Sequence, residues 1–167
     1  MIDPNSVTNP EIVSFLYAYL PHRNMLRDFY ELLPEDQYDF RLVDTPTHCS
    51  DSPRESLAHI IKTRLIYLHG VKTGTLTFEP VGVDHLRGAA KSVLLEAWDT
   101  FEAEMITLLQ SQNLDLSETV QCPWGPMSVL HTLFLIRDHE ILHTGWNLAL
   151  IDVLGLARYS SLKEYWG

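Results

Sequence analysis

Apolar residues return every three or four positions through four long stretches of this chain. That spacing lines one face of an α-helix, which turns once per about 3.6 residues. The first series is Ile12, Val13, Phe15, Leu16, Tyr19 and Leu20, followed by Met25, Leu26, Phe29, Leu32 and Leu33. Pro21 sits between its halves, so the pattern predicts a kinked or broken first helix over roughly 9–33. Ser52-Pro53-Arg54-Glu55 then spells a helix start: Ser52 caps, Pro53 suits the first helical position, and Glu55 completes a capping box. Leu57, Ile60, Ile61, Arg64, Leu65 and Leu68 form the second stripe, which ends near Gly70.

Residues 71–83, with Gly74, Pro80 and Gly82, read as a loop. A third helix is expected over about 84–110, with Leu86, Val93, Leu94, Ala97, Phe101, Met105 and Leu108 facing inward. A polar linker leads to Trp124-Gly125-Pro126. The fourth helix runs from Met127 through Leu130 and Phe134 to about 154, and it carries Gly145 at a cost of ~1 kcal/mol against Ala. A short helix near 160–166 closes the chain. Four long helices without evident strands predict an all-α four-helix bundle. The long connections leave the order of helix directions open.

The 167 residues suit one domain, and 46% hydrophobic residues supply a full core. The formal charge is -10 and no Lys/Arg cluster stands out, which argues against nucleic acid as a partner. No apolar run approaches the roughly 20 residues of a membrane span. The polar, acidic start does not read as a signal peptide, so a cytoplasmic location is expected. Cys49 and Cys122 read as ordinary reduced thiols.

Chemistry concentrates in His139-Glu140-Ile141-Leu142-His143. Imidazoles four residues apart stack on one helix face and can close on one metal ion. His59, beside Ile60 and Ile61 on the second helix, is the expected third ligand and is placed toward the buried side. Asp51 or Glu55 would orient its second ring nitrogen. His131, two turns before His139, is the candidate general base, and Arg64 and Arg137 would reach anions at a pocket mouth or make surface salt links. The same five residues also match the H-E-x-x-H pattern of zinc proteases, in which Glu140 is the base. That reading needs a downstream ligand, and only Glu164 lies far enough along. In a bundle, Glu140 is expected to point away from the metal into solvent. A metallohydrolase thus stands as an alternative, as does a non-catalytic metal-binding or interaction bundle.

Three segments carry a family likeness: Ser56-Leu57-Ala58-His59-Ile60, Trp124 with Met127-Ser128-Val129-Leu130, and His139-Glu140-Ile141-Leu142-His143-Thr144-Gly145. Together they resemble the DinB/YfiT-like superfamily of metalloenzymes. Thr144 stands where that family commonly has Arg. The resemblance implies a four-helix bundle whose three histidines bind Zn²⁺, Ni²⁺ or a similar ion, a homodimer, and no DNA binding. Some relatives are transferases or isomerases using small thiols such as bacillithiol or mycothiol. The resulting expectation is a metal-dependent thiol transferase in which His59, His139 and His143 hold the ion and a small electrophile is the substrate. Trp146, Tyr165 and Trp166 are expected to close over their own bundle rather than form a subunit contact.

Overall fold

The computed structural model of the protein describes residues 3–78 and 82–166. Residues 79–81, part of the loop expected over 71–83, lie outside them. Among the described residues five α-helices carry the architecture: α1 (Pro10–Leu32), α2 (Pro53–Thr73), α3 (Lys91–Leu109), α4 (Val129–Leu154) and α5 (Ser160–Trp166).

Each helix start has a local cause. Asn9 accepts from the backbone of Glu11 and Ile12 to open α1, with Pro10 at its first position. Ser52 and Glu55 form the expected reciprocal capping box at α2. Ser128 caps α4 by accepting from the His131 backbone. Helix α1 runs as one element through Pro21. The proline leaves the carbonyl of Tyr17 without its helical partner, and Tyr17 lies on the exposed side, where water can satisfy it. Helix α2 extends three residues past Gly70 and ends at Gly74, whose φ of 73° is the left-handed cap that glycine adopts without strain.

The expected third helix divides. Residues Asp84–Gly88 make a 3-10 turn, and α3 begins only at Lys91. Its buried stripe is Leu94, Trp98, Phe101, Met105 and Leu109: Leu94, Phe101 and Met105 are as expected, Trp98 and Leu109 replace the adjacent Ala97 and Leu108, and Val93 is exposed. Strands are present after all. β1 (Asp44–Thr45) pairs with β2 (His48–Cys49), and β3 (Thr119–Cys122) pairs antiparallel with β4 (Gly125–Ser128). Trp124-Gly125-Pro126 therefore lies in a hairpin, with Gly125 and Pro126 in β4, and α4 starts at Val129 rather than at Met127. The hairpin docks on the end of α2 through Leu76 N–H to the Gln121 carbonyl and Gln121 N–H to the Gly74 carbonyl, both 2.8 Å.

Two apolar cores fill the bundle. One gathers Ile12, Phe15 and Leu16 of α1, Ile66 and Leu68 of α2, Phe101 and Met105 of α3, and Leu133 and Ile136 of α4. The other gathers Met25, Phe29, Leu57, Ile61, Leu94, Trp98 and Leu150. Chain order through the cores shows that α1 and α4 run one way and α2 and α3 the other. The α2–α3 connection therefore travels back along the bundle, which explains its length. Helix α5 packs on α1 through buried Leu162 and a Ser161 hydroxyl that donates to Asp28 at 2.6 Å. Trp146 packs partly against the second core, but Tyr165 and Trp166 are exposed and do not close over the bundle as expected.

Candidate metal centre

Between the two cores the helices turn polar faces to one another. Buried here are Ser56 and Arg64 of α2, Glu102 of α3, and Glu140, Thr144 and Asn147 of α4. The three histidines lie at the edge of this belt.

His59 reaches from α2 toward His139 and His143 on α4. Its Nε2 stands 2.9 Å from His139 Nε2, and His143 Nε2 stands 3.2 Å from the same atom. The ring centroids are 4.9 Å apart for His59–His139, 5.4 Å for His59–His143 and 4.5 Å for His139–His143. One ligand atom from each residue lies within 4.8 Å of the others. Nitrogens that each sit about 2.0–2.1 Å from a tetrahedral ion lie about 3.3 Å from one another, so this spacing suits a shared cation. The donor set suits it too, because neutral imidazole is a ligand for zinc, nickel, copper and iron.

Electrostatics point the same way. Burial, then the neighbouring His59, pushes His139 down to about 4. Burial, then His139 and His59, pushes His143 down to about 3. Burial also lowers His59. All three rings are thus neutral at neutral pH, with lone pairs available for a cation. His59 is exposed rather than turned to the buried side, so the cluster opens to solvent along α2. Beside it lies a cleft of about 490 Å³ lined by Asp51, Glu55, His59, Lys62, Asp84 and Arg87 among others.

The support of the histidines differs from expectation. Neither Asp51 nor Glu55 hydrogen-bonds His59; Glu55 is engaged by Arg41 at 2.7 Å and by the Ser52 backbone at 3.0 Å. Instead Ser56 Oγ lies 3.0 Å from His143 Nδ1. Sequence reasoning missed Ser56, although it lies three residues before His59 and so shares its side of α2.

Glu140 is not solvated. It is fully buried: its Oε1 accepts from Arg64 Nε at 2.7 Å and forms an ion pair with Arg64 Nη2, also 2.7 Å away. Arg64 is no pocket-mouth or surface residue either: its guanidinium is fully buried and stacks 3.4 Å from the centroid of the Trp98 ring. Glu102 lies 3.9 Å from Arg64 and 3.0 Å from Arg23, and accepts from the Tyr19 hydroxyl at 3.3 Å. Burial pushes the Glu140 carboxyl up, against the pull of Arg64. A carboxylate locked to a buried guanidinium does not serve as the general base of a zinc protease, and Glu164 lies on α5 outside the cluster. Arg137 bonds its neighbour Asp138. His131 is exposed in the first turn of α4, about 12 Å of helix rise from His139, and the structure does not bring it to the other three. Cys49 is exposed and Cys122 half-buried, and both are free thiols outside the cluster. Among the described residues, no helix is long and apolar enough to cross a membrane.

Two solved structures share the fold. The crystal structure of a DinB-like protein (YjoA) from Bacillus subtilis matches with a TM-score of 0.66 at 19% identity, covering 88% of this chain and 95% of that one. A DinB-like protein from Bacillus cereus matches with a TM-score of 0.65 at 18% identity, covering 87% and 94%. Among curated proteins, none matches the chain. The sequence model of the DinB superfamily matches residues 18–146, a span that holds all three histidines, and the chain belongs to that superfamily.

Proposed function

We propose that this chain is a metal-dependent enzyme that transfers a low-molecular-weight thiol to a small electrophile. The observation that carries the reading is the meeting of three Nε2 atoms beside an open cleft. His59, His139 and His143 would hold one divalent ion, zinc or nickel by donor type. Such an ion, when bound, supplies Lewis acidity that lowers the pKa of a small ligand next to it.

The rest is done by side chains. Ser56 orients the His143 ring through Nδ1. The cleft presents cations, Lys62 and Arg87, and carboxylates, Asp51 and Asp84, to a polar substrate of a few hundred Å³. Lys62 and Asp84 bond each other at 2.8 Å and would have to part to engage a ligand. The reading assigns no step to His131. A cytoplasmic location and a homodimer complete it; exposed Leu142 and Val153 on α4 offer apolar surface for a second copy.

Protein purified without a histidine tag should carry about one divalent ion per chain by elemental mass spectrometry. It should conjugate a small thiol to an aryl halide, and chelation should stop the reaction. Turnover that continues unchanged in the metal-stripped protein would end the enzymatic reading, and metal retained without any turnover would favour a structural site.

A further inference from the structure

Three carboxylates and two cations line the cleft beside His59: Asp51, Glu55 and Asp84 against Lys62 and Arg87. Much of this charge is already answered. Lys62 Nζ bonds Asp84 at 2.8 Å. One oxygen of Glu55 is held by Arg41 at 2.7 Å and by the Ser52 backbone at 3.0 Å. Arg87 stands 3.9 Å from the other oxygen, beyond hydrogen-bond length, and its side chain is 81% exposed. Asp51 is exposed and has no hydrogen bond or ion pair among the described residues. The committed pairs cancel. One negative charge, Asp51, and one positive charge, Arg87, remain open on the same cleft.

We propose that Asp51 and Arg87 are specificity-determining residues that make this cleft a site for a zwitterion of amino-acid type, with a protonated amine and a carboxylate on one small frame. Resting on the thiol-transfer reading, that zwitterion is the thiol substrate. Each half follows from donor chemistry. A guanidinium offers paired N–H groups that match both oxygens of a carboxylate. A carboxylate only accepts, so Asp51 takes the N–H groups of an ammonium. A plain anion would meet Asp51 and a formal chain charge of -10, and a plain cation would meet Arg87. A molecule with both charges satisfies both residues and leaves Lys62 bonded to Asp84. His59 lines the same cleft, so a ligand held this way lies beside the histidine cluster.

Both residues stand on held segments. Asp51 precedes Ser52, which is buried and fixed by the capping box of α2. Arg87 lies on the Asp84–Gly88 turn, which buries Leu86 and leads to Ala89, whose carbonyl accepts from Arg54 Nη1 at 2.8 Å. Little backbone ordering is therefore needed on binding. The cleft of about 490 Å³ exceeds the volume of one amino acid, which leaves room for the electrophile.

The test uses metal-free protein and a probe without a free thiol. In an amide NMR titration, S-methylcysteine should shift the signals of residues around the cleft. It should bind about two- to fivefold more tightly than 2-(methylthio)ethylamine, which lacks the carboxylate, and than 3-(methylthio)propanoate, which lacks the amine. Arg87→Gln should erase the first difference and keep the second. Asp51→Asn should erase the second and keep the first, a crossed pattern that general loss of structure does not produce. No binding, equal binding of the three probes, shifts confined to another part of the molecule, or variants that keep both differences would overturn the assignment. The thiol reading fails separately. If S-methylcysteine binds as stated but the cobalt(II)-loaded chain shows no thiolate-to-metal absorption band with cysteine, that reading ends and the zwitterion site stands.

Discussion

Arg64 Nη2 and Glu140 Oε1 stand 2.7 Å apart, and neither side chain exposes any surface to solvent. Arg64 lies five residues after His59 on α2, and Glu140 lies between His139 and His143 on α4. The pair thus fastens together the two helices that contribute the histidines. A buried ion pair is weak evidence of net stability, since desolvation offsets the attraction. Breaking one is a different matter, because the remaining charge is left without a partner.

Glu140→Ala is therefore expected to destabilise the fold by about 3–5 kcal/mol. Glu140→Gln, which keeps an acceptor for the guanidinium, should lose less. Urea unfolding followed by circular dichroism measures both. An alanine variant within about 0.5 kcal/mol of the native chain, the scatter of neutral surface changes, would show that the pair holds nothing in place.

Metal binding should appear as stability. A ligand that binds only the folded state at one hundred times its Kd adds about 2.7 kcal/mol. Zinc or nickel should accordingly raise Tm in the native chain, with the gain reversed by chelator. In His59→Ala the gain should shrink sharply, because two imidazoles on one helix remain and the bridge between helices is gone. Equal Tm shifts in the two proteins would remove His59 from the ligand set.

The capping box offers a pH test. Arg41 beside Glu55, aided by the Ser52 backbone, holds the Glu55 carboxyl below its usual range. A depressed carboxylate contributes stability that is complete above its unfolded pKa, about 4.3, and is lost as pH falls through the lower folded value. The native chain should thus lose more stability than Glu55→Gln between about pH 5 and pH 3. Ser52→Ala should cost about 1 kcal/mol at neutral pH. Parallel pH profiles for Glu55→Gln and the native chain would contradict the assignment.

Two helical glycines should answer oppositely to alanine. A Cβ on Gly70 would meet Leu76 Cβ at 3.0 Å and its Cα at 3.2 Å, where the segment leaving α2 folds back. Gly70→Ala should destabilise by about 1–2 kcal/mol, overpacking outweighing the gain in helix propensity. A Cβ on Gly145 meets nothing within 4 Å on the exposed side of α4. Gly145→Ala should stabilise by about 0.5–1 kcal/mol. Chemical denaturation decides both signs.

The long helices, the α2 capping box and the His139–His143 pair were legible because each depends on short spacings along one helix, whereas His59, on another helix, was drawn from its neighbours Ile60 and Ile61 and from the family likeness. The burial of those helices was harder to read. Arg64 fell in the apolar stripe of α2, but its partner Glu140 lay on another helix, and nothing local tells a buried carboxylate from a solvated one. On α3, Leu94, Phe101 and Met105 were legible, but Ala97 and Leu108 were read in place of the adjacent Trp98 and Leu109, because neighbouring apolar residues both fit the period and only packing chose between them. The β3–β4 hairpin was missed because its strands are four residues long, hold one buried position at Val120, and include Gly125 and Pro126. Ser56 carried no signal of its own, since a serine on a helix is common and its partner His143 is remote in sequence.

The division of the interior into two greasy halves separated by a charged and hydroxylated waist has a mechanical result. Leucines and phenylalanines tolerate a neighbouring helix that slides by one turn, about 5.4 Å, and repacks. Guanidinium, carboxylate and hydroxyl do not, because such a slip would strand each of them against hydrocarbon. The waist therefore acts as a detent: it fixes the lengthwise alignment of α2 and α4, and any motion that opens the histidine cluster must tilt these helices or swing side chains, not shear one along the other.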